Sequence, residues 1–229
     1  MKIVSIVGAR PQFIKEYALS KSVRKICDYV LIHTGQHYDF ELPQLFFDQL
    51  GLSKPDYNLG IGSASQGEQI GKMVIKIEAL LIKEKPDIVV FYGDTNSTLA
   101  GAISSVKLNI PVGHIEAGLR SFDKTMPEEI NRILTDHCSS LLFAPTITAK
   151  QNLRKEGIKK AVYVTGDVMY DAILYNLKIA EKSKILKQLK IKQKQYYLTT
   201  IHRQSNTDNA KNLSNILEAL STTTIFFGM

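Results

Sequence analysis

Three acidic positions are the residues of this sequence best suited to acid–base chemistry. Asp94 and Glu116 each follow a short apolar run, and Glu128 with Glu129 follows a proline where a helical pattern begins. Carboxyl groups gathered on one rim differ in pKa through mutual repulsion and burial, so one can act as a base and another as an acid. The alternative is structural: Asp94 fits a helix N-cap, and Glu128 fits the positive end of a helix dipole.

Two cations follow the first apolar run. Gly8 ends the run Ile3–Val7, and Arg10 and Lys15 come soon after it. A single glycine matches neither the three-glycine dinucleotide fingerprint nor the P-loop, whereas a cationic turn at a helix start can contact an anion. The alternative is a turn glycine followed by surface cations. The functional interpretation favours a phosphate-bearing substrate held across a cleft over a wrapped dinucleotide.

Polar residues also follow two other apolar runs. Gln36 and His37 come after the second run, and His202 with Arg203 comes after the last one. In a doubly wound sheet, ligands bind at the carboxyl ends of the strands, so we expect these side chains to converge with the carboxylates on one cleft.

Histidine and cysteine spacing predicts no metal. The histidines do not follow a metal-ligand pattern, and we expect His114 and His137 to be buried and structural. Cys27 and Cys138 are far apart and predict neither a disulfide nor a zinc site, which favours a reducing, cytoplasmic location.

The elements that must position these residues alternate between strand and helix. Continuous apolar strands alternating with helices are typical of a parallel sheet covered on both faces, so the predicted fold class is α/β, with a Rossmann-like doubly wound parallel sheet. The predicted strands are Ile3–Val7, Tyr29–His33, Ile88–Tyr92, Val112–Ile115, Leu141–Ala144, Val162–Thr165 and Tyr196–Ile201, and the predicted helices lie near 12–26, 66–84, 96–108, 128–139, 146–156, 169–190 and 208–220.

Composition limits the partners. No apolar run reaches 18 residues, and Arg10 interrupts the N-terminal run, so we expect neither a transmembrane helix nor a signal peptide. The net charge of +7 arises mainly in 151–229, with 13 basic and 6 acidic residues, whereas 1–150 has 16 of each. The lysines of 177–195 are not interleaved with aromatic residues, so we interpret them as a solvated helix face and expect no nucleic-acid partner.

The same lysine-rich stretch predicts the domain organisation. We expect an N-terminal Rossmann-like domain over 1–176, a connecting helix or linker over 177–195, and the incomplete start of a second Rossmann-like domain over 196–229.

Eight segments, in order along the chain, resemble one family. They are "VGARPQFIK", "HTGQHYD", "PDYNLGIGSASQGEQIGKM", "YGDTNSTLAG", "HIEAGLRSFDKTMPEEINRILTDH", "APT", "VTGDVMYDA" and "TIHRQSNTDN". Together they resemble the non-hydrolysing UDP-N-acetylglucosamine 2-epimerase family. The resemblance implies a GT-B arrangement, in which two Rossmann-like domains face each other with a UDP-sugar between them, and this chain would supply the N-terminal half.

The resemblance also implies a reaction. The family removes the C2 proton and expels UDP to give a 2-acetamidoglucal, then adds UDP back with protonation from the opposite face. This elimination needs no NAD or other cofactor. Asp94, Glu116 and Glu128 match the family's acid–base residues, and Arg10 and Lys15 match contacts to the substrate and its diphosphate.

Further matches concern binding. His202 matches a histidine close to the diphosphate, with Arg203 beside it. Gln36 and His37 match positions that contact UDP-GlcNAc in family members that use it as an allosteric activator. Dimerisation is common in the family, so a homodimer is compatible with the resemblance.

Two departures qualify these expectations. Family members extend well beyond residue 229, and after Leu220 the tail "STTTIFFGM" leaves the family pattern, so we expect a truncated chain with little activity and weak UDP affinity of its own. "GARPQFIK", "HTGQHYD" and "GDVMYDA" look closer to a subgroup acting on UDP-2,3-diacetamido-glucuronate.

Three other classes stay open. A glycosyltransferase shares the fold but does not need three carboxylates on the rim of the first domain. A non-catalytic UDP-sugar-binding fragment would bind without chemistry. A Rossmann dehydrogenase is disfavoured by the lone glycine in residues 8–15.

Overall fold

A computed structural model of the chain describes residues 1–36, 54–201 and 204–221. His37, His202 and Arg203 therefore lie outside the described residues. The chain divides into two compact units, Met1–Ala180 and Glu181–Met229.

In the residues that the structure describes, the strands of the first unit are β1 (Lys2–Val7), β2 (Asp28–His33), β3 (Tyr57–Asn58), β4 (Ile88–Tyr92), β5 (Val112–Ile115), β6 (Leu141–Ala144) and β7 (Val162–Val164). These seven strands form one parallel sheet in the order β3-β2-β1-β4-β5-β6-β7. The order runs outward in both directions from β1 and β4, which is the doubly wound arrangement, so the predicted fold class is confirmed. The short strand β3 was not among the predicted strands.

Helices connect most of these strands. Their positions agree with the predicted helices through the first unit, with shifts of one to three residues at most ends. They are α1 (Arg10–Val23), α2 (Gln66–Glu84), α3 (Asn96–Lys107), α4 (Pro127–Cys138), α5 (Ile147–Lys155) and α6 (Val168–Ala180).

Both faces of the sheet are buried. On one face, Met73, Ile77 and Leu81 of α2 recur every four residues and pack against Ile6 and Phe91. This spacing puts the three side chains on one stripe of the helix.

On the other face, Phe13 and Tyr17 of α1 pack with Val7, Leu31 and Tyr92. The sheet is therefore fixed between helices, which leaves its carboxyl-end edge to carry polar residues.

The second unit is described as three helices, α7 (Ile185–Gln188), α8 (Gln204–Thr207) and α9 (Ala210–Leu220). Asn209 caps α9, because its Oδ1 accepts from the backbone N–H groups of Lys211 and Asn212 at 3.1 Å. None of the described helices in the chain combines the length and apolar character needed to span a bilayer.

Two predicted elements in this region are wrong. The helix predicted over 169–190 ends at Ala180, and within the rest of that predicted range the structure has only the short helix Ile185–Gln188. The strand predicted at Tyr196–Ile201 is coil, and Tyr197 and Leu198 are 87% and 88% exposed. Helices and strands draw most of their stability from packing and pairing, and the described part of this unit offers no neighbouring strand.

Candidate functional site

The turns after β1 and β4 are joined through Gln12, which is buried at the start of α1. Its Oε1 accepts from the N–H groups of Gly8 and Ala9, at 2.7 and 3.1 Å. Its Nε2 donates to the carbonyl of Tyr92 at 2.7 Å and to Thr98 Oγ1 at 2.9 Å. The amide therefore fixes the two strand ends relative to each other.

Gly8 is required where β1 meets the start of α3. A Cβ at this position would lie 1.9 Å from Ser97 Oγ and 2.3 Å from Thr34 Oγ1, far inside van der Waals contact. These two hydroxyls are themselves hydrogen-bonded at 2.8 Å. The single glycine of the turn after β1 is therefore needed for the close approach of this turn to Thr34 and to the start of α3.

Gln36 lies beside the same helix start. Its Oε1 accepts from the backbone N–H of Ser97 at 3.0 Å and from Ser97 Oγ at 2.7 Å. The side chain therefore satisfies one of the otherwise unpaired N–H groups at the N-terminus of α3.

Lys15 and Glu116 form the ion pair at the centre of the edge. Lys15 Nζ lies 2.6 Å from Glu116 Oε2, and each side chain is 12% exposed. Glu116 has a φ of +72°, which is strained for a residue with a Cβ. A Cβ on Gly93 would lie 3.2 Å from Lys15 Nζ and 3.4 Å from Glu116 Oε2, so the glycine leaves room for the pair.

Asp94 is paired with a different cation. Its carboxylate accepts from Arg132 Nη2 at 2.5 Å, and its backbone carbonyl accepts from Asn131 Nδ2 at 2.9 Å. Arg132 also donates to Glu129 at 2.9 Å. Asp94 is therefore held from α4 on both its side chain and its backbone.

Glu129 connects this pair to the loop before α4. It is 1% exposed, and its carboxylate accepts from the N–H groups of Ser121 and Phe122, each at 2.9 Å. Burial alone would raise the pKa of Glu129, but these backbone donors and Arg132 hold it below its ordinary value.

The predicted site residues fall into three groups. Glu116 and Asp94 are each paired with a cation, so the described contacts do not show the mutual repulsion of carboxylates that the sequence suggested. Arg10 is exposed at the first residue of α1, and Glu128 is exposed in the first turn of α4. The predictions for His37, His202 and Arg203 lie outside the described residues.

The two histidines expected to be buried differ from each other. His114 is fully buried, but the prediction for His137 is wrong. Its side chain is 47% exposed, because it lies in the last turn of α4 facing Glu156, with Nε2 3.4 Å from Oε2. In the part of the chain that the structure describes, no three His, Cys, Asp or Glu side chains are grouped as metal ligands.

Sequence reasoning missed several residues that shape this edge, above all Gln12 and Arg132. Arg132 follows Glu129 by three residues on one helix, and this spacing could have revealed their pairing. Nothing in the sequence distinguishes Gln12 from any other polar residue in a first helical turn.

Comparison with known proteins identifies the family. The sequence profile described as UDP-N-acetylglucosamine 2-epimerase matches residues 21–226. The chain belongs to the UDP-N-acetylglucosamine 2-epimerase family. The resemblance inferred from the sequence is thereby confirmed.

Relatives support this membership over nearly the whole chain. A UDP-N-acetylglucosamine 2-epimerase homolog of Methanococcus maripaludis is 58% identical over 96% of this chain. The UDP-2,3-diacetamido-2,3-dideoxy-D-glucuronate 2-epimerase of Pseudomonas aeruginosa is 48% identical over the same share. These two relatives are covered by this chain over 62% and 63% of their own lengths.

Solved structures of family members agree in fold. The UDP-GlcNAc 2-epimerase of Methanocaldococcus jannaschii, in complex with UDP-GlcNAc and UDP, matches with a TM-score of 0.90 and 50% identity, over 97% of this chain and 62% of that one. Acinetobacter baumannii MurG, at 14% identity and a TM-score of 0.50 over 64% of this chain and 42% of its own, shows likeness of fold alone. The chain therefore has the Rossmann-like part of a GT-B fold.

Proposed function

We propose that the carboxyl-end edge of this sheet binds a UDP-sugar and carries the proton transfers of a non-hydrolysing UDP-N-acetylglucosamine 2-epimerase. The reaction would invert C2 of a UDP-HexNAc by anti elimination of UDP to a 2-acetamidoglucal, followed by re-addition. Elimination and re-addition need no redox cofactor. Because the chain spans 62% of the length of its M. maripaludis relative, the activity of the whole enzyme is part of this proposal.

The observation that carries the proposal is the pairing of two carboxylates with two cations at neighbouring strand ends. Glu116 pairs with Lys15 at 2.6 Å, and Asp94 pairs with Arg132 at 2.5 Å. Inversion at one carbon requires a group that removes a proton on one face and a group that supplies one on the other. Two separately anchored carboxylates suit that division of work.

We assign the remaining roles by charge and position. Lys15 and the exposed Arg10 would contact the diphosphate as it leaves, since developing negative charge is stabilised by fixed cations. Glu128 would be a third acid–base group, and His202 with Arg203 would add diphosphate contacts. Proton transfer to or from Glu116 would require Lys15 to exchange this carboxylate for the diphosphate, which links substrate binding to activation of the base.

Regulation is a separate part of the proposal. Gln36 and His37 would contact a second UDP-GlcNAc acting as an activator. The amide oxygen of Gln36 is already bonded to Ser97, so its amide nitrogen would be the group offered to a ligand.

A second substrate has its own support. The relative named for UDP-2,3-diacetamido-2,3-dideoxy-D-glucuronate is 48% identical, close to the 51% of the M. jannaschii UDP-N-acetylglucosamine 2-epimerase. A third candidate is a UDP-sugar-binding fragment without chemistry, which the following experiment separates from the two epimerases.

The test is incorporation of deuterium at C2 of the sugar in heavy water. UDP-GlcNAc and its 2,3-diacetamido uronate analogue are each incubated with this chain, and with a fusion that appends to residue 220 the remaining C-terminal part of the M. maripaludis relative. Exchange that depends on Glu116 supports the proposal, and the faster substrate names the subgroup. UDP binding without exchange in both proteins would leave the binding fragment as the function.

We also infer a homodimer in a reducing, cytoplasmic compartment. Cys27 and Cys138 are free thiols, which suits that compartment. Light scattering of the purified chain tests the dimer, and a monomer at micromolar concentration would exclude it.

A further inference from the structure

A buried ion pair is hydrogen-bonded to the turns that carry Asp94 and Glu116. His114 of β5 and Asp136 of α4 have no exposed side-chain surface, and His114 Nδ1 is 2.7 Å from Asp136 Oδ1. The proposed chemistry makes no use of either residue. A buried charged pair is costly unless it is fully hydrogen-bonded, so its contacts need an explanation.

Asp136 bonds to the chain on both sides of Glu116. One carboxylate oxygen faces His114, and the other accepts from the backbone N–H of Gly118 at 3.0 Å. These two partners are the second residue before and the second residue after Glu116. Glu116 itself has a φ of +72°, a conformation that persists only when its surroundings enforce it.

His114 supports the turn that carries Asp94. Its Nε2 is 2.8 Å from the backbone carbonyl of Gly93, and the N–H of Gly93 donates to the carbonyl of Ile115 at 3.0 Å. Gly93 has a φ of +63°. One imidazole ring therefore contacts the turn before Asp94 and, through Asp136, the segment around Glu116.

The hydrogen-bond partners of the His114 ring indicate which of its nitrogens carry a proton. A carbonyl and a carboxylate only accept hydrogen bonds, so both contacts are satisfied when Nδ1 and Nε2 each carry a proton. Arg120 Nη1 lies 2.7 Å from the other oxygen of Asp136, and Arg120 Nη2 lies 2.7 Å from Glu156. With the ring cationic, these four side chains are two positive and two negative charges.

The environment of Asp136 agrees with this charge assignment. Burial alone would raise the pKa of Asp136, but the hydrogen bond and charge of His114, together with Arg120, hold it below its ordinary value. The carboxylate is therefore ionised at neutral pH and can accept from the ring.

We propose that His114 and Asp136 are positioning residues that hold the Asp94 and Glu116 turns in register, with the His114 ring doubly protonated. The structural part of this proposal stands alone, and its consequence for catalysis rests on the proposed function. The alternative is an ordinary buried pair that stabilises the fold without affecting the edge.

The first experiment measures the protonation of the two nitrogens of the His114 ring. Nitrogen-15 NMR of the labelled chain at pH 7 should show two protons on the His114 ring, both protected from solvent exchange. The variant Asp136→Asn should remove one of them, because an asparagine Nδ2 can donate to a neutral ring nitrogen while Oδ1 keeps the Gly118 contact. A single ring proton in the unsubstituted chain would overturn the protonation assignment.

The second experiment separates positioning from stability. The glutamine of His114→Gln carries its donors on a single nitrogen and cannot replace both ring contacts, so the backbone amide signals of Asp94 and Glu116 should shift. In the fusion protein, C2 exchange should fall about 10- to 100-fold in kcat with little change in KM, because misplacing acid–base groups costs rate more than binding. His137→Gln, next to Asp136 but 47% exposed, is the matched control and should leave both readouts unchanged.

The outcomes separate the two proposals. Unshifted amide signals and an unchanged kcat in a folded His114→Gln protein would overturn the positioning role. Absence of exchange in the unsubstituted fusion would count against the proposed function alone, and the ring protons and amide shifts would still decide the positioning.

Discussion

The ion pairs around Glu116 differ in the solvent exposure of their side chains, and we call them the front pairs and the rear pair. The front pairs, Lys15–Glu116 and Arg132–Asp94, have side chains that are 12% to 30% exposed. The rear pair, His114–Asp136, has none of its side-chain surface exposed. A charge that a ligand can reach can exchange partners during a reaction, whereas a sealed charge is fixed by its hydrogen bonds. The comparison separates the residues to which we assign the chemistry from the residues to which we assign positioning.

Removing the sealed carboxylate should have the largest effect on stability. Asp136→Ala leaves the protonated His114 and Arg120 without their partner, and breaking a buried pair from one side costs about 3–5 kcal/mol. Urea unfolding followed by circular dichroism measures this loss, with Asp136→Asn as the milder comparison. A loss below about 1 kcal/mol would remove the distinction between the front pairs and the rear pair.

Substituting the front carboxylate should have the opposite profile. Glu116→Gln keeps the shape of the side chain but cannot accept a proton, so C2 exchange in the fusion should fall at least about 100-fold. The free energy of unfolding should change by less than about 1 kcal/mol, because the amide oxygen of glutamine can still accept a hydrogen bond from Lys15 Nζ. Equal losses in stability for this variant and for Asp136→Ala would contradict the separation.

A second buried histidine sharpens the comparison. His33 is 6% exposed and lies against Phe13, with ring centroids 4.8 Å apart, and burial lowers its pKa to about 4. The unfolded chain, with an ordinary pKa of 6.5, binds the proton first, so folding stability falls as pH drops below about 6.5. The contribution of His33 to this loss should reach about 2 kcal/mol at pH 5.

The check is the pH dependence of unfolding between pH 7 and pH 5. In this window the free energy of unfolding should fall less steeply with decreasing pH in His33→Gln than in the unsubstituted chain. The same pH dependence in the unsubstituted chain and in His33→Gln would mean that the ring of His33 is not held neutral by the fold.

The smallest effect should come from a surface pair. Lys72 and Glu68 lie one turn apart on α2, 2.6 Å from each other, with side chains 57% and 52% exposed. Lys72→Ala should cost less than about 0.5 kcal/mol, since such pairs are screened by water and salt. A larger cost in urea unfolding would mean that exposure does not rank the ion pairs of this chain.

Most strands and helices of the first unit could be predicted from the sequence, because the local residue pattern agrees with the packing and pairing of each element in the fold. The run Ile88–Tyr92 is a strand in the pattern and in the structure, where it pairs with β1 and β5. The run Tyr196–Ile201 is also rich in aromatic and β-branched residues but is coil, because such a segment becomes a strand only when another strand satisfies its backbone groups.

The candidate site could be predicted from the sequence only in part. Asp94 and Glu116 could be placed at one edge because parallel strands end together, and both are found there. The pairing of these carboxylates with Lys15 and Arg132 could not be predicted, since Lys15 and Glu116, for example, are 101 residues apart in sequence and meet only through the order of the strands. The rear pair was missed for the same reason: His114 was expected to be buried, but its contacts with Gly93 and Asp136 depend on tertiary packing.

The most direct test of the central claim is C2 deuterium exchange measured side by side for the fusion protein and its Glu116→Gln variant, at equal folded fractions. The account predicts exchange into at least one of the two UDP-sugars and its loss, by at least about 100-fold, in the variant. Equal exchange in both proteins, or saturable UDP binding without exchange in the unsubstituted one, would contradict the claim that this edge carries the acid–base chemistry.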